Sequence, residues 1–301
     1  MRVRMVVILV VTLGCSAGAG ATQEFDGAVA YEYVKTQMEF GPRIPNTEGH
    51  RRAGDWMLQH LRATADSVEE QAFTHVTESG DTLELRNLIG KFRPDLTDRI
   101  LYLAHWDTRP KADQSANLAD QRRPLPGAND GASGVAVLLG VADVLARRPP
   151  AFGVDLVLVD GEDFGDFGEG TDVLIGSRYY AEHLDPSGPK PLFAIVFDMV
   201  GDKDLSFQQE PGSLAKAPEV VERVWSTAAR LGYRHVFPSQ RGFPITDDHV
   251  SLWDAGIRAI DVIDFDYGPN NRYWHSVDDT LDKVSARSLQ IVGDVAVALV
   301  R

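Results

Sequence analysis

Residues 154–163 read VDLVLVDGED: an apolar run, broken only by Asp155, that stops abruptly at Asp160, Glu162 and Asp163. A continuous apolar run of this length suits a strand buried on both faces, as in a parallel sheet covered by helices. The same sentence is written three more times in the chain. RILYLA (99–104) runs into His105-Trp106-Asp107, LFAIVF (192–197) into Asp198, and AIDVI (259–263) into Asp264 and Asp266. Between these strands, residues 133–148 form a pattern apolar almost all round, which predicts a buried helix. Helices are also predicted over 172–184, over 218–231 with Pro218 in its first turn and Gly232 as its stop, and over 285–300 capped by Ser285. Upstream lie two helical patterns, 26–40 and 47–65. In the second, Trp56, Leu58, Leu61 and Ala65 share a face, and Asn46 or Thr47 can cap it. Alternating stretches at 67–74 and 82–92 then predict a hairpin around Ser79-Gly80-Asp81. The expected fold is α/β: a single domain with a mixed, mostly parallel central sheet and helices on both faces.

The first residues read as an address. Arg2 and Arg4 precede an apolar run from Met5 to Leu13, and small residues follow to Ala21. That is the layout of a secretory signal peptide, so residues 1–21 are predicted to be removed, leaving 22–301 as the catalytic domain. The run is too short to span a bilayer, and no later stretch is long enough. Cys15 is the single cysteine. Thr12-Leu13-Gly14 before it resembles a bacterial lipobox, with Thr12 a poor fit. Simple export to the periplasm or the exterior is the preferred reading, and a lipid anchor on Cys15 the alternative. No disulfide can then hold the mature fold. At 44% apolar and 25% charged the chain has an ordinary globular composition, and its net charge of −14 argues against binding a phosphate backbone.

Open α/β sheets gather ligands at the carboxyl ends of their strands, where these acids lie. Asn129-Asp130-Gly131, in a Gly-rich loop, and His275, after Tyr273-Trp274, complete the set. Carboxylates crowded at a buried edge repel one another and lose hydration, and a divalent cation relieves both costs. Mixed imidazole and carboxylate donors suit zinc. His105 and Asp107, two apart on an extended chain, can point the same way. Glu162 and Asp163, being neighbours, point apart, so one can bind metal while the other carries protons. Each element alone is weak: Asp247-Asp248-His249 reads equally as a helix N-cap, and Trp274 as packing. Their order at successive strand ends is what favours a metal site.

Taken together, AHWDTRP (104–110), GANDGASGV (127–135), DGED (160–163), GSRYYA (176–181), FDMVGDKD (197–204), ITDDH (245–249) and YWHSVDDTLDKV (273–284) resemble the zinc-aminopeptidase-like enzymes. More closely they resemble the bacterial glutaminyl-peptide cyclotransferases (glutaminyl cyclases) related to the animal enzyme, as does FGPRIPNTEGH (40–50). The resemblance implies one zinc per chain, held by Asp130, Asp163 and His275. It implies Glu162 as acid/base, Asp198 and Asp247 in a hydrogen-bonded acidic network, and Trp274 lining the substrate pocket. It further implies a monomer that acts on peptides or proteins with a free N-terminal glutamine, forming pyroglutamate and releasing ammonia. The two-zinc aminopeptidases supply the alternative. There His105 and Asp198 hold a second zinc, Asp130 bridges the pair, and Glu162 activates water. Asp247, where aminopeptidases of this type carry serine, and Trp274 both follow the cyclase pattern. Residues 164–175 depart from it, because they lack the tryptophan many cyclases place there. Phe164, or Phe167, is expected to make that substrate contact instead.

Overall fold

The computed structural model describes residues 24–301, so the signal peptide expected over 1–21, with Cys15, lies outside the described residues. Six strands form one mixed sheet: β1 (Ser67–Val76), β2 (Thr82–Phe92), β3 (Arg99–His105), β4 (Gly153–Val159), β5 (Phe193–Asp198) and β6 (Ala259–Ile263), in the order β1-β2-β4-β3-β5-β6. The hairpin β1–β2 is antiparallel and joins β4 antiparallel, whereas β4, β3, β5 and β6 run parallel. Tyr102 thus sits level with Leu156 on one side and Ile195 on the other, which brings the acidic strand ends into one row.

The continuous apolar runs are explained by burial on both faces. Ile100, Tyr102 and Ala104 join the core beneath α1 (Gly27–Glu39), α2 (Glu48–Thr64), α3 (Ser133–Arg147), α6 (Pro218–Arg230) and α8 (Ala286–Leu299). Leu101 and Leu103 face a smaller core closed by Tyr180 of α4 (Ile175–Glu182) and Leu252 of α7 (Asp248–Asp254). Period-2 alternation is therefore present in space but carries no hydrophobic contrast along the chain. Caps follow ordinary chemistry: Thr47 accepts from His50 N at the start of α2, and Ser285 from Ser288 N at the start of α8.

The structure departs from expectation in two places. The helix expected from residue 172 begins at Ile175, because Asp172 and Leu174 adopt left-handed backbone (φ +53° and +56°) and cannot continue a helical turn. Two short helices, α5 (Pro211–Lys216) and α7, also appear. Neither is long enough to display a 3.6-residue period, and each is set by a carboxylate cap, Glu210 and Asp247 respectively.

Helix α3 carries the loop of Asp130 at its N-terminus, and its distance from the sheet is set at Gly134. A Cβ there would lie 2.1 Å from the Phe197 carbonyl oxygen and 3.0 Å from Ala104 Cβ. The Gly134→Ala change is expected to lift α3 off β3 and β5, costing about 1–3 kcal/mol. The unfolding midpoint should fall by about 3–10 °C in calorimetry. An unchanged midpoint would contradict this contact.

Candidate metal centre

Each loop at the sheet edge is tied down by a carboxylate that accepts backbone N–H groups. Asp107, just past β3, accepts from Glu162 N at 3.0 Å and Asp163 N at 3.2 Å. Asp279 accepts from Asn129 N at 2.8 Å, Asp130 N at 3.2 Å and the Tyr267 hydroxyl at 2.7 Å. Asp160 accepts from Arg86 N at 2.9 Å and lies 2.9 Å from His50, whose ring stacks on Trp106 at 4.3 Å. The buried Arg43 closes the underside, donating to the carbonyls of Trp106 and Gly127. One set of acids thus serves to aim another.

The aimed acids form two groups that share Asp130. In the first, donor atoms of Asp130, Asp163 and His275 all lie within 4.8 Å of one another. His275 Nε2 is 3.4 Å from Asp163 Oδ1 and 3.6 Å from Asp130 Oδ2. Burial pushes His275 down to about 4, which leaves its imidazole neutral and able to ligate. Asp163 Oδ1 accepts from Arg109 Nη1 at 2.8 Å, but Asp163 Oδ2 is buried without a hydrogen-bond partner. A divalent cation held among these donors would satisfy that oxygen, so the residues fit zinc.

The second group is His105, Asp130 and Asp198. Here His105 Nε2 is already 3.1 Å from Asp198 Oδ1 and 3.2 Å from Asp130 Oδ1. Its Nδ1 faces Asp107 at 3.6 Å and Glu162 at 3.7 Å. Burial opposes a charge on this ring, yet Glu162 and the three aspartates outweigh it and hold His105 well above the ordinary histidine range. Glu162 itself is pushed well above the usual carboxylate range, by burial first and then by Asp163, Asp247 and Asp248. Asp247 moves the same way, through burial and Asp198.

A cavity of about 340 Å³ opens onto these groups. Asp130, Glu162, Asp198, Asp247 and His275 supply its polar side, and Ile245, Phe265, Phe167 and Trp274 the apolar one. Trp274 stacks on His275 at 3.9 Å and meets Phe265 edge-on at 5.0 Å. Every expected site residue is thereby assembled except one. Phe164 packs instead with Leu83, Leu85 and Ile175, and Phe167 is the phenylalanine of that loop in the cavity wall. The reason is local: Leu174 N and Ile175 N donate to the carbonyls of Glu162 and Gly161, folding the start of the loop inward and its tip outward.

Asp247 caps α7, whereas His249 turns into the interior, 3.7 Å from Glu210 and 3.8 Å from Asp261. Asp264 and Asp266 line an adjoining cavity rather than the metal groups. Sequence reasoning missed the roles of Arg109 and Asp279. Both stand within motifs already quoted, at 104–110 and 273–284, but neither supplies a ligand atom to the metal groups, so a search for ligands passes over them.

The model of Peptidase family M28 matches residues 87–300. The chain belongs to that family. This M28 chain is thus an enzyme of a zinc-dependent superfamily. Glutaminyl cyclases of Porphyromonas gingivalis and Bacteroides thetaiotaomicron superimpose on it with TM-scores of 0.89 and 0.87 at 37% and 36% identity, over 92% of this chain and 98% and 97% of theirs. A B. thetaiotaomicron structure described as a leucine aminopeptidase precursor is 37% identical with a TM-score of 0.87, covering 92% of this chain and 97% of that one. The chain spans about half the length of the first curated relatives it matches, an aminopeptidase (57%) and a probable zinc metalloprotease (46%).

Asp279 touches no donor group directly and acts through the backbone of Asp130. Asp279→Asn is expected to lower zinc affinity about 10- to 100-fold, the usual cost of losing an outer-shell partner. Zinc retained after dialysis against graded chelator reads this out, and retention equal to that of the unaltered enzyme would refute it.

Proposed function

We propose that this M28 enzyme is a glutaminyl-peptide cyclotransferase that converts N-terminal glutamine to pyroglutamate and releases ammonia. The observation that carries the reading is the cavity wall. Asp247 and Trp274, the two positions that separate cyclase from aminopeptidase patterns, line the same cavity as Glu162, Asp130 and His275. The likeness to two glutaminyl cyclases along nearly their whole length supports it.

In this reading Asp130, Asp163 and His275 hold one zinc. Bound there, zinc would supply Lewis-acid polarisation of the γ-carboxamide. The substrate's own α-amine attacks the carbonyl carbon (Cδ) of that carboxamide, so an N–Cδ bond forms inside the glutamine, the bond from Cδ to the carboxamide nitrogen breaks, and that nitrogen departs. Glu162 takes the amine proton and returns it to that nitrogen, which leaves as ammonia. Burial among acids gives Glu162 the raised affinity for protons that this exchange requires. Asp198 and Asp247 orient the amine and the tetrahedral species, and Trp274, with Phe167, packs against the glutamine side chain. His105, already hydrogen-bonded by Asp130 and Asp198, serves as a positive partner to the acids in the place where a second zinc would lie. Export by residues 1–21 and a monomeric state belong to the same proposal.

A two-zinc aminopeptidase is the second reading, favoured by the donor atoms of His105, Asp130 and Asp198 clustering within 4.8 Å. Incubating the zinc-loaded enzyme with a Gln-initiated dipeptide separates the two. Ammonia with the peptide bond intact, and one zinc per chain, is expected. Free glutamine with two zinc ions would establish the alternative. Glu162→Gln should retain zinc and lose at least ~10²-fold in turnover, the scale of general acid–base catalysis. Undiminished turnover would remove Glu162 from its role.

A further inference from the structure

We propose that the cavity beside the metal pocket is a subsite for the peptide residues that follow the N-terminal one, and that it selects a lysine or arginine side chain. This rests on the cyclase reading for the direction in which substrate enters.

The cavity measures about 350 Å³ and shares Ile245, Ile263 and Phe265 with the metal pocket, so a single layer of side chains divides the two. Phe265 forms the crest of that layer, with its ring against Trp274. An extended residue advances about 3.3–3.6 Å, so a peptide whose first residue faces Glu162 crosses Phe265 within a residue or two.

The far side of the crest is lined by acids, of which Asp266 is the exposed one and Asp264 is pushed up to about 7 by burial. Glu210, Asp264 and Asp266 line it, and among the described residues no lysine or arginine does. Arg272, next to the lining residue Asn271, is turned to Asp278 at 3.4 Å and lies over the Tyr273 ring. Arg241, next to Gly242, is outside the lining. Asp264 is only 2% exposed and receives Ser206 N at 2.9 Å, which fixes the carboxylate in the wall, whereas Asp266 is exposed. Phe243, 77% exposed, lines the same cavity and places an aromatic ring at its mouth. An apolar rim over an acidic interior matches a side chain with an aliphatic stem and a cationic head. An acidic side chain would meet carboxylates without compensation, and a purely apolar one would leave them facing hydrocarbon.

The test compares amidated Gln-Lys-Ala, Gln-Ala-Lys, Gln-Ala-Ala and Gln-Glu-Ala. Ammonia release from the zinc-loaded enzyme should give kcat/KM about three- to tenfold higher for the better lysine peptide than for Gln-Ala-Ala, as expected of partly exposed charge pairs, with Gln-Glu-Ala lowest. The spread should narrow in Asp266→Asn and in high salt, and Phe243→Ala should raise KM for the lysine peptide more than it alters kcat. Peptide affinities are measured in parallel by calorimetry on Glu162→Gln, where turnover is blocked. Equal affinity for lysine and glutamate peptides there, or a preference that Asp266→Asn leaves intact, overturns the subsite. Free glutamine in place of ammonia overturns the cyclase reading instead, and leaves the calorimetric comparison to decide the subsite on its own.

Discussion

The cost of burying carboxylates at one edge of a parallel sheet governs this molecule. Asp107, Asp130, Glu162, Asp163, Asp198, Asp247, Asp248 and Asp279 are all withdrawn from solvent there. Left alone, such a group would either take up protons or push the loops apart. The fold answers with three kinds of compensation. Backbone N–H groups are given to Asp107 and Asp279, cationic side chains to Asp163 and Asp198 through Arg109 and His105, and a cation site is left among Asp130, Asp163 and His275. Asp107 and Asp279 serve only as clamps and supply no donor atom to the groups that could hold a metal, whereas Asp198 does both, accepting Met199 N while it faces His105.

The rest of the architecture serves that edge. Parallel register aligns the strand ends, the close approach at Gly134 fixes the height of the Asp130 loop, and Arg43 with Trp106 fills the space beneath the loops. Two histidines then diverge in character over a short distance. His275 is buried with little to stabilise a charge and is pushed down to about 4, whereas His105 is ringed by acids that hold it well above the ordinary histidine range. In the proposed reading the same residue type serves as a ligand in one place and a counter-ion in another, and only the surroundings differ.

How much of this could be read beforehand follows from what each signal depends on. The strands at 99, 154, 192 and 259 were legible because burial on both faces leaves them almost wholly apolar, with Arg99, Asp155 and Asp261 the exceptions, until the strand stops. The site was legible for the same reason, since polar residues at those stops have no packing role to explain them. The helix over 211–216 was not, because it is set by a cap and by contacts distant in sequence, and the one over 248–254 showed only its start, since Asp247-Asp248-His249 reads as an N-cap. Of the two phenylalanines expected, Phe164 or Phe167, it is Phe167 that lines the cavity, and the choice is made by backbone: residues 172 and 174 are left-handed, and nothing in their side chains announces that conformation. Arg109 and Asp279 were hidden by working one step behind the donors.

The return of the 164–175 segment to its own starting point has an evolutionary implication. Because Leu174 and Ile175 bond back to the carbonyls of Glu162 and Gly161, the excursion between them is closed on itself like a bay with a narrow mouth. Beyond Asp163, which Asp107 and Arg109 hold in place, residues within the bay can be exchanged, or their number altered, without transmitting a displacement to the acid at its entrance. On the proposed reading, substrate preference can therefore drift while Glu162 stays still, so that such a chain can retool what it recognises without relearning how it reacts.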